Sequence, residues 1–182
     1  MAFEIFHGAP DSNIGRFDKE MRFYRALEEL SVPFSRIDHS AAFTMEECYE
    51  ADSAFGVMAC KNLFLCNRQQ TVFYLLLMPG DKPFKTKELS AQINTSRLSF
   101  ASPEHMEKYL DILPGAVSAA GLMNDAEQAV NLLVDEDLLK SEDIVIHPCV
   151  NTSSVMLKTA DLLDKFVPYT KHSYKTVKLV GE

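Results

Sequence analysis

The chain is organised around the run Ala59-Cys60-Lys61-Asn62-Leu63-Phe64-Leu65, which is apolar except for one lysine and one asparagine. A second apolar run, Val72-Phe73-Tyr74-Leu75-Leu76-Leu77-Met78, follows the polar segment Asn67-Arg68-Gln69-Gln70. Two such runs joined by a short polar connection predict a β-hairpin. Because both runs are apolar at almost every position, we expect the hairpin to lie in a sheet that is covered on both faces.

Lys61 and Asn62 are the polar residues of the first predicted strand. An unpaired ammonium is costly inside a buried strand. The Lys61 ammonium therefore either reaches solvent from the strand end or binds an anionic or carbonyl-bearing ligand. Consecutive side chains of a regular strand point to opposite faces, so Lys61 and Asn62 can serve one site only if the strand bends or bulges there.

The composition indicates one globular domain with no membrane segment. A chain of 182 residues can bury a sizeable core, and 47% hydrophobic and 24% charged residues are ordinary for a globular protein. The N-terminus has no signal-peptide pattern and no apolar stretch reaches the ~18 residues of a membrane helix, so we expect a cytoplasmic location. The net charge of −8 argues against broad nucleic-acid or DNA binding, although Lys82, Lys85 and Lys87 form a local basic cluster.

No metal site or cofactor motif is visible in the sequence. The four cysteines lack C-x-x-C spacing and the five histidines lack H-E-x-x-H spacing, so we expect reduced thiols and no metal. The nucleophile elbow G-x-S-x-G, the P-loop and the dinucleotide fingerprint G-x-G-x-x-G are also absent, and no cofactor is expected.

The rest of the chain predicts short helices and strands of an α/β or α+β fold, with a mixed sheet flanked by short helices. Loop residues dominate positions 1–15, which we treat as an N-terminal loop extension to a single domain at 16–182. Helices are predicted at 16–30, 44–54, from about Thr86, at 103–110 and at 159–166, the second from a capping box at Thr44 and the last with Thr159 as its cap. Strands are predicted at 34–39, 98–101, 129–134, 143–147, 152–157 and 174–180.

Two further places carry candidate site residues. Gly115 lies in a loop of small residues, where glycine lets the backbone approach a ligand closely. His147 ends the apolar strand that begins at Asp143, and a histidine there more often packs and hydrogen-bonds than acts as a catalyst. Cys149 follows closely, but no neighbouring residue indicates a lowered thiol pKa.

Several short motifs occur in an order and spacing that together are specific enough to indicate a protein family. They are His39 with Phe43-Thr44-x-Glu46-Glu47, Lys61-Asn62-Leu63-Phe64-Leu65, Leu98-Ser99-Phe100, Pro114-Gly115-x-Val117, Asn124-Asp125 and His147-Pro148-x-x-Asn151. Together they resemble the YbaK/ProX superfamily of aminoacyl-tRNA editing domains, and most closely the freestanding prolyl-tRNA editing proteins that hydrolyse alanine from tRNA(Pro). The resemblance covers roughly residues 20 to 180.

The resemblance implies a YbaK-like fold, with a mixed, largely antiparallel sheet, and a deacylase that acts in trans on the acceptor end of mischarged tRNA. Prolyl-tRNA synthetase is a partner to consider. Lys61 would be the catalytic residue that engages the 3′-terminal aminoacyl-adenosine. Asn62 and His147 would shape the substrate pocket, and the Gly115 backbone would line it. We therefore expect the Lys61 ammonium and the His147 ring to face one cavity, with no covalent nucleophile because an aminoacyl ester is already activated.

Three residues depart from the family pattern. Relatives carry a lysine where Cys66 stands, and proline and an aromatic residue where Ala119 and Ala120 stand. The smaller residues predict a wider pocket that excludes the prolyl group less strictly, and the lost lysine predicts weaker tRNA binding. Two alternatives stay open: a deacylase for another small amino acid such as serine or cysteine, and a non-catalytic module that senses tRNA or an aminoacyl ligand.

Overall fold

Nine strands form two sheets in the part of the chain that the computed structural model describes, residues 3–41, 53–57 and 59–181. In chain order they are β1 Ile5–His7, β2 Phe34–Asp38, β3 Cys60–Cys66, β4 Phe73–Pro79, β5 Ser99–Phe100, β6 Val130–Asp135, β7 Asp143–Ile146, β8 Ser153–Lys158 and β9 Tyr174–Val177. One sheet has the order β5-β3-β4-β6-β9 and the other β1-β2-β8-β7. The architecture is mixed α/β, as predicted, but the strands divide between two sheets.

The predicted hairpin is the centre of the five-stranded sheet. β3 and β4 pair antiparallel without a bulge from Cys60 opposite Pro79 to Cys66 opposite Phe73. The Asn67 carboxamide oxygen accepts hydrogen bonds from the backbone N–H groups of Thr71 and Val72, which fixes the polar connection. The hairpin prediction is therefore confirmed in position and register.

Parallel pairing extends this sheet beyond the hairpin. β6 lies parallel to β4, and β9 lies parallel to β6 as the edge strand. Parallel neighbours need long crossover connections, and the segment between β4 and β6 contains two helices. The four-stranded sheet is antiparallel throughout.

Short helices cover both sheets. They are α1 Asp18–Glu29, α2 Thr86–Gln92 and α3 Pro103–Leu110, the 3₁₀ turns Ala119–Asn124 and Leu138–Lys140, and a final helical stretch made of Thr159–Asp161, the π-helical turn Leu162–Phe166 and Val167–Tyr169. Helix α3 begins as its sequence predicts, because the Ser102 hydroxyl accepts a hydrogen bond from the His105 N–H and Pro103 takes the first helical position.

Each face of the five-stranded sheet has its own hydrophobic cluster. The face that carries Phe64 and Leu75, here called the inner face, packs on α1, the final helical stretch and the four-stranded sheet. The face that carries Leu65 and Leu76, the outer face, is covered by Leu89 of α2 and by Leu179. The expectation that the hairpin is buried on both sides is confirmed.

Two local expectations are wrong. Positions 1–15 are not only loop, because Ile5–His7 forms β1 and pairs along β2, which gives its backbone groups partners that a loop would lack. Thr159 is not a helix cap but the first helical residue, and its buried hydroxyl has no hydrogen-bond partner in the described part of the chain. The helix predicted at 44–54 lies largely outside the described residues, as does Cys48.

Candidate functional site

The regular pairing of β3 separates its two polar residues. Asn62 shares the inner face with Phe64, whereas Lys61 shares the outer face with Leu63. A bulge would be needed to bring both side chains to one face, and β3 has none against β4. Lys61 and Asn62 therefore serve different surfaces of the same strand.

Asn62 places an unsatisfied acceptor on the inner face. Its side-chain nitrogen donates to the Cys60 carbonyl at 3.2 Å. Its carboxamide oxygen, Oδ1, is buried and has no hydrogen-bond partner among the described residues. A buried acceptor without a partner carries a desolvation penalty of about 1–3 kcal/mol. A ligand that donates a hydrogen bond to Oδ1 would remove that penalty.

His147 follows β7, and β7 packs against β3. Its Nδ1 lies 3.0 Å from the Ser153 carbonyl. A carbonyl can only accept, so Nδ1 carries the proton and in the neutral ring Nε2 is the acceptor. Burial lowers the pKa of His147, partly offset by the hydrogen bond to Ser153, so the ring is neutral at pH 7. The His39 ring lies edge-on to it, with centroids 6.2 Å apart.

A buried polar chain supports this histidine from behind. The Ser153 hydroxyl lies 3.1 Å from the Tyr24 hydroxyl, which donates to Glu20 at 2.9 Å. Glu20 in turn pairs with Arg16 at 2.5 Å although only 2% of its surface is exposed. This series of hydrogen-bonded side chains was not predicted from the sequence. The signal was present, because Glu20 and Tyr24 are four residues apart on the apolar side of a predicted helix.

The Gly115 loop is joined to His147 through Ser118. Gly115 is exposed and has φ of 91°, a conformation that favours glycine. The Ser118 hydroxyl donates to the His147 carbonyl at 2.5 Å. Ala119 and Ala120 are fully buried in the inner hydrophobic cluster. These two residues therefore pack behind the loop, and the wider pocket that their small side chains predict stays a prediction.

Lys61 lies in a different place, an outer-face depression of about 550 Å³ that it shares with Leu63, Phe84, Lys85, Lys87 and Phe100. Its ammonium donates to the Lys82 carbonyl at 2.8 Å. Neither Asn62, Gly115 nor His147 borders this depression. The structure thus leaves Lys61 on the outer face, in a depression that His147 does not line, so the expectation that Lys61 and His147 face one cavity is not met there.

Lys82 holds the turn that carries this carbonyl. Its ammonium contacts both oxygens of Asp135 at 2.8 and 2.9 Å, Asp137 at 2.6 Å and the Leu179 carbonyl at 2.7 Å. Burial would lower the pKa of Lys82, but the hydrogen bonds to the two carboxylates outweigh it and leave the pKa raised. Asp135 is fully buried. The sequence signal was an aspartate directly after an apolar strand.

Two cysteines near these elements are not reactive groups. Burial raises the pKa of Cys149 to about 12, so its thiol stays protonated at neutral pH. Cys66 is 2% exposed and lies in the inner cluster. The weaker tRNA binding expected from a cysteine at this position stays a prediction.

Comparison with known proteins identifies the family. A family model described as the aminoacyl-tRNA editing domain matches residues 39–165, well over half of the chain. The chain belongs to the aminoacyl-tRNA editing domain family. The matched segment includes Lys61, Asn62, Gly115 and His147, whereas β1, α1 and β9 of this editing domain lie outside it.

Similar proteins span nearly the whole editing domain. The prolyl-tRNA editing protein ProX of Acetoanaerobium sticklandii is 31% identical over 162 residues, which cover 89% of this chain and 98% of that protein. The prolyl-tRNA synthetase associated domain-containing protein 1 of Danio rerio is 30% identical over 149 residues, which cover 81% of this chain and 80% of that protein. The family resemblance drawn from the motifs is confirmed.

Solved structures support the fold. A candidate trans-editing enzyme for prolyl tRNA synthetase superposes with a TM-score of 0.68 at 17% identity, over 90% of this chain and 98% of the other. A hypothetical protein superposes with a TM-score of 0.66 at 12% identity, over 86% of this chain and 97% of the other. The predicted fold class of the editing domain is confirmed.

The described ranges hold neither a candidate metal cluster nor a helix that could cross a membrane. Within residues 3–41, 53–57 and 59–181, no group of three or more histidine, cysteine, aspartate or glutamate residues could hold a metal ion. Over the same part of the chain, no helix has the length and apolarity needed to cross a membrane.

Proposed function

We propose that this editing domain hydrolyses alanine from mischarged tRNA(Pro) in trans and spares prolyl-tRNA(Pro). The observation that carries the proposal is the 31% identity to a prolyl-tRNA editing protein over 98% of that protein's length. The relation spans 162 residues, more than the family segment at 39–165.

The inner-face groups suit a small aminoacyl group. The Asn62 oxygen accepts a hydrogen bond from the α-ammonium of the amino acid, which supplies the partner that Oδ1 lacks among the described residues. His147, neutral and fixed by Ser153, shapes the pocket beside it. The exposed Gly115 backbone lines the entrance, where no side chain restricts the approach.

Hydrolysis proceeds without a covalent nucleophile from the protein. Water attacks the ester carbonyl, the bond to the ribose oxygen breaks, and that oxygen takes up a proton as the amino acid leaves. The ester is already activated, so correct placement of water and substrate supplies much of the rate enhancement. Cys149, with its raised pKa, takes no part.

Lys61 has a role in this proposal that differs from oxyanion stabilisation. Its ammonium lies on the outer face, fixed by the Lys82 carbonyl. From there it engages the backbone of the 3′-terminal nucleotide while the aminoacyl group occupies the inner face. Lys61→Ala is expected to lower deacylation by about 10-fold or more, as for the loss of one hydrogen bond between charged groups.

The same proposal implies a cellular location and a partner enzyme. The protein meets its substrate in the cytoplasm, where mischarged tRNA is released, and prolyl-tRNA synthetase is the partner that produces it. The names of the zebrafish relative and of the superposed structure, which both refer to prolyl-tRNA synthetase, support this assignment.

A deacylation panel tests the function. Purified protein is mixed with tRNA(Pro) charged with alanine, serine, cysteine or proline, and single-turnover rates are compared. We expect fast release of alanine and little release of proline, because a clash with a larger group is not limited by lost contact energy. Faster release of serine or cysteine would identify a deacylase for those amino acids. No release from any charged tRNA at saturating protein would favour a non-catalytic sensor.

The variant Asn62→Ala localises the reaction to the inner face. It removes the proposed acceptor for the α-ammonium and should lower the single-turnover rate on alanyl-tRNA(Pro) by about 10-fold or more, the loss of a hydrogen bond to a charged group. The control is Asn131→Ala, which removes an asparagine from another face of the same sheet and should keep the wild-type rate. Equal rates for Asn62→Ala and wild type would refute this placement of the substrate.

A further inference from the structure

The outer-face depression contains more than Lys61. Lys85 and Lys87 are exposed at its border, beside the phenyl rings of Phe84 and Phe100. The proposed hydrolysis uses neither these lysines nor these rings. Their arrangement needs a separate explanation.

The depression concentrates positive charge on an acidic protein. The whole chain has a net charge of −8, yet three lysines border this one surface. The neighbouring Lys82 does not add to it, because its charge is matched by Asp135 and Asp137. The nearby Glu88 carboxylate, which accepts from the backbone N–H groups of Val180 and Gly181, offsets only one of the three positive charges. The local field therefore favours an anion.

Two phenyl rings lie among these charges. Phe100 is 61% exposed, a large apolar surface for a residue of a short edge strand. The Phe84 ring is edge-on to it, with centroids 6.2 Å apart. Exposed aromatic rings beside basic side chains are the usual means of binding single-stranded nucleic acid, because bases stack on rings while phosphates contact the cations.

The depression is also close to the inner-face site along the chain. Lys61 and Asn62 are consecutive residues about 3.3 Å apart along β3. β5 pairs with β3 only at Leu65 and Cys66, so among the described residues no strand pairs with this side of β3 at Lys61 and Asn62. A nucleic-acid strand that passes over this edge can present its last residue to Asn62 and its preceding nucleotides to the depression.

We propose that the outer-face depression binds the single-stranded 3′ end of the tRNA acceptor arm. Lys85 and Lys87 contact phosphates, and Phe100 stacks on a base, with Phe84 supporting its ring. This inference rests on the proposed function, since it names where the same substrate is held.

Binding of uncharged RNA tests the proposal without any hydrolysis. Fluorescence anisotropy is measured with a 5′-labelled single-stranded RNA of the acceptor 3′ sequence and with uncharged tRNA(Pro), across a series of salt concentrations. The double variant Lys85→Gln/Lys87→Gln should weaken binding by about 10-fold or more at 0.1 M salt. It should also make the slope of log K against log salt about 1.4 shallower, since each phosphate contact on a single strand contributes ~0.7.

Phe100→Ala separates stacking from charge. It should weaken binding by about 10-fold while leaving the salt slope unchanged, because stacking releases no counterions. The matched control is Lys171→Gln/Lys175→Gln, which changes the net charge equally but lies at a different depression, beside Tyr74 and Tyr174. The control should bind RNA with the wild-type salt slope.

Deacylation kinetics separate this inference from the proposed function. On alanyl-tRNA(Pro), Lys85→Gln/Lys87→Gln should raise KM and keep kcat. If the wild-type protein binds RNA through the depression but cleaves no charged tRNA, only the proposed function fails. If the control pair weakens binding as much as the depression pair, or the depression variants bind as wild type does, the depression is not the binding site.

Discussion

Replacement of Lys82 by methionine tests the buried ion pair that holds the outer-face turn. The Lys82 side chain is 13% exposed and its partner Asp135 is 0% exposed. Methionine keeps most of the aliphatic stem but leaves the Asp135 carboxylate buried without its counter-charge. Breaking a buried pair in this way costs about 3–5 kcal/mol, and loss of the more exposed contact to Asp137 adds little to this.

The assay for Lys82→Met is urea and thermal unfolding followed by circular dichroism. In a chain of this size each kcal/mol shifts Tm by about 2–4 °C, so a decrease of roughly 10 °C is expected. The control is Lys140→Met, which removes a 71%-exposed partner of Asp137 and should leave the unfolding midpoint close to that of the wild type. The double variant Lys82→Met/Asp135→Asn should recover part of the loss, because the charge is removed while the amide oxygen can still accept from the Asp137 N–H.

The result that would refute this reasoning is a Lys82→Met variant as stable as Lys140→Met. The Asp135 carboxylate would then be hydrated or neutralised without its lysine, contrary to its burial. A double variant as unstable as Lys82→Met alone would place the loss in the Leu179 carbonyl contact or in side-chain packing instead of in the charge pair.

Three further predictions concern the inner side. Burial lowers the pKa of His147, so below pH ~6.5 the unfolded chain takes up a proton that the folded chain does not. The free energy of unfolding should therefore decrease as the pH is lowered through this range. His147→Gln should flatten this dependence in urea titrations. Tyr24→Phe removes the hydroxyl bonded to the buried Glu20 and should cost about 1–3 kcal/mol in the same assay, and no cost would show that Arg16 alone satisfies Glu20. Burial would raise the pKa of Asp38, but hydrogen bonds from Arg16 and Arg36 leave it below 3.8; stability should therefore fall as pH falls below that value, less so in Asp38→Asn.

The sequence was sufficient for the hairpin and for most helices and strands, because these depend on local patterns. Uniformly apolar runs predicted β3 and β4, and a serine-proline pair predicted the start of α3. The strand Ile5–His7 was missed because glycine, proline and aspartate around it carry a strong loop signal. Its pairing with β2 is a long-range contact that no local window contains.

The site was predicted only in part, for a geometric reason. The motif Lys61-Asn62 singled out two candidate residues, and the alternation of side chains along a strand already required them to point to opposite faces unless β3 bulged. Whether a bulge exists depends on the pairing with β4, which is regular. The partners of these residues, the Ser153 carbonyl for His147 and the Lys82 carbonyl for Lys61, are backbone atoms, which sequence motifs do not reveal.

The parallel position of β9 has a consequence for the order in which the protein folds during translation. β6 has β4 on one side as soon as it is synthesised, but its other side remains unpaired until Tyr174–Val177 leaves the ribosome. Leu179, whose carbonyl holds Lys82, comes later still. The apolar strand Val130–Asp135 is therefore an open edge in the nascent chain, able to pair with other chains, and its protection until β9 arrives is a task for chaperones or for rapid elongation.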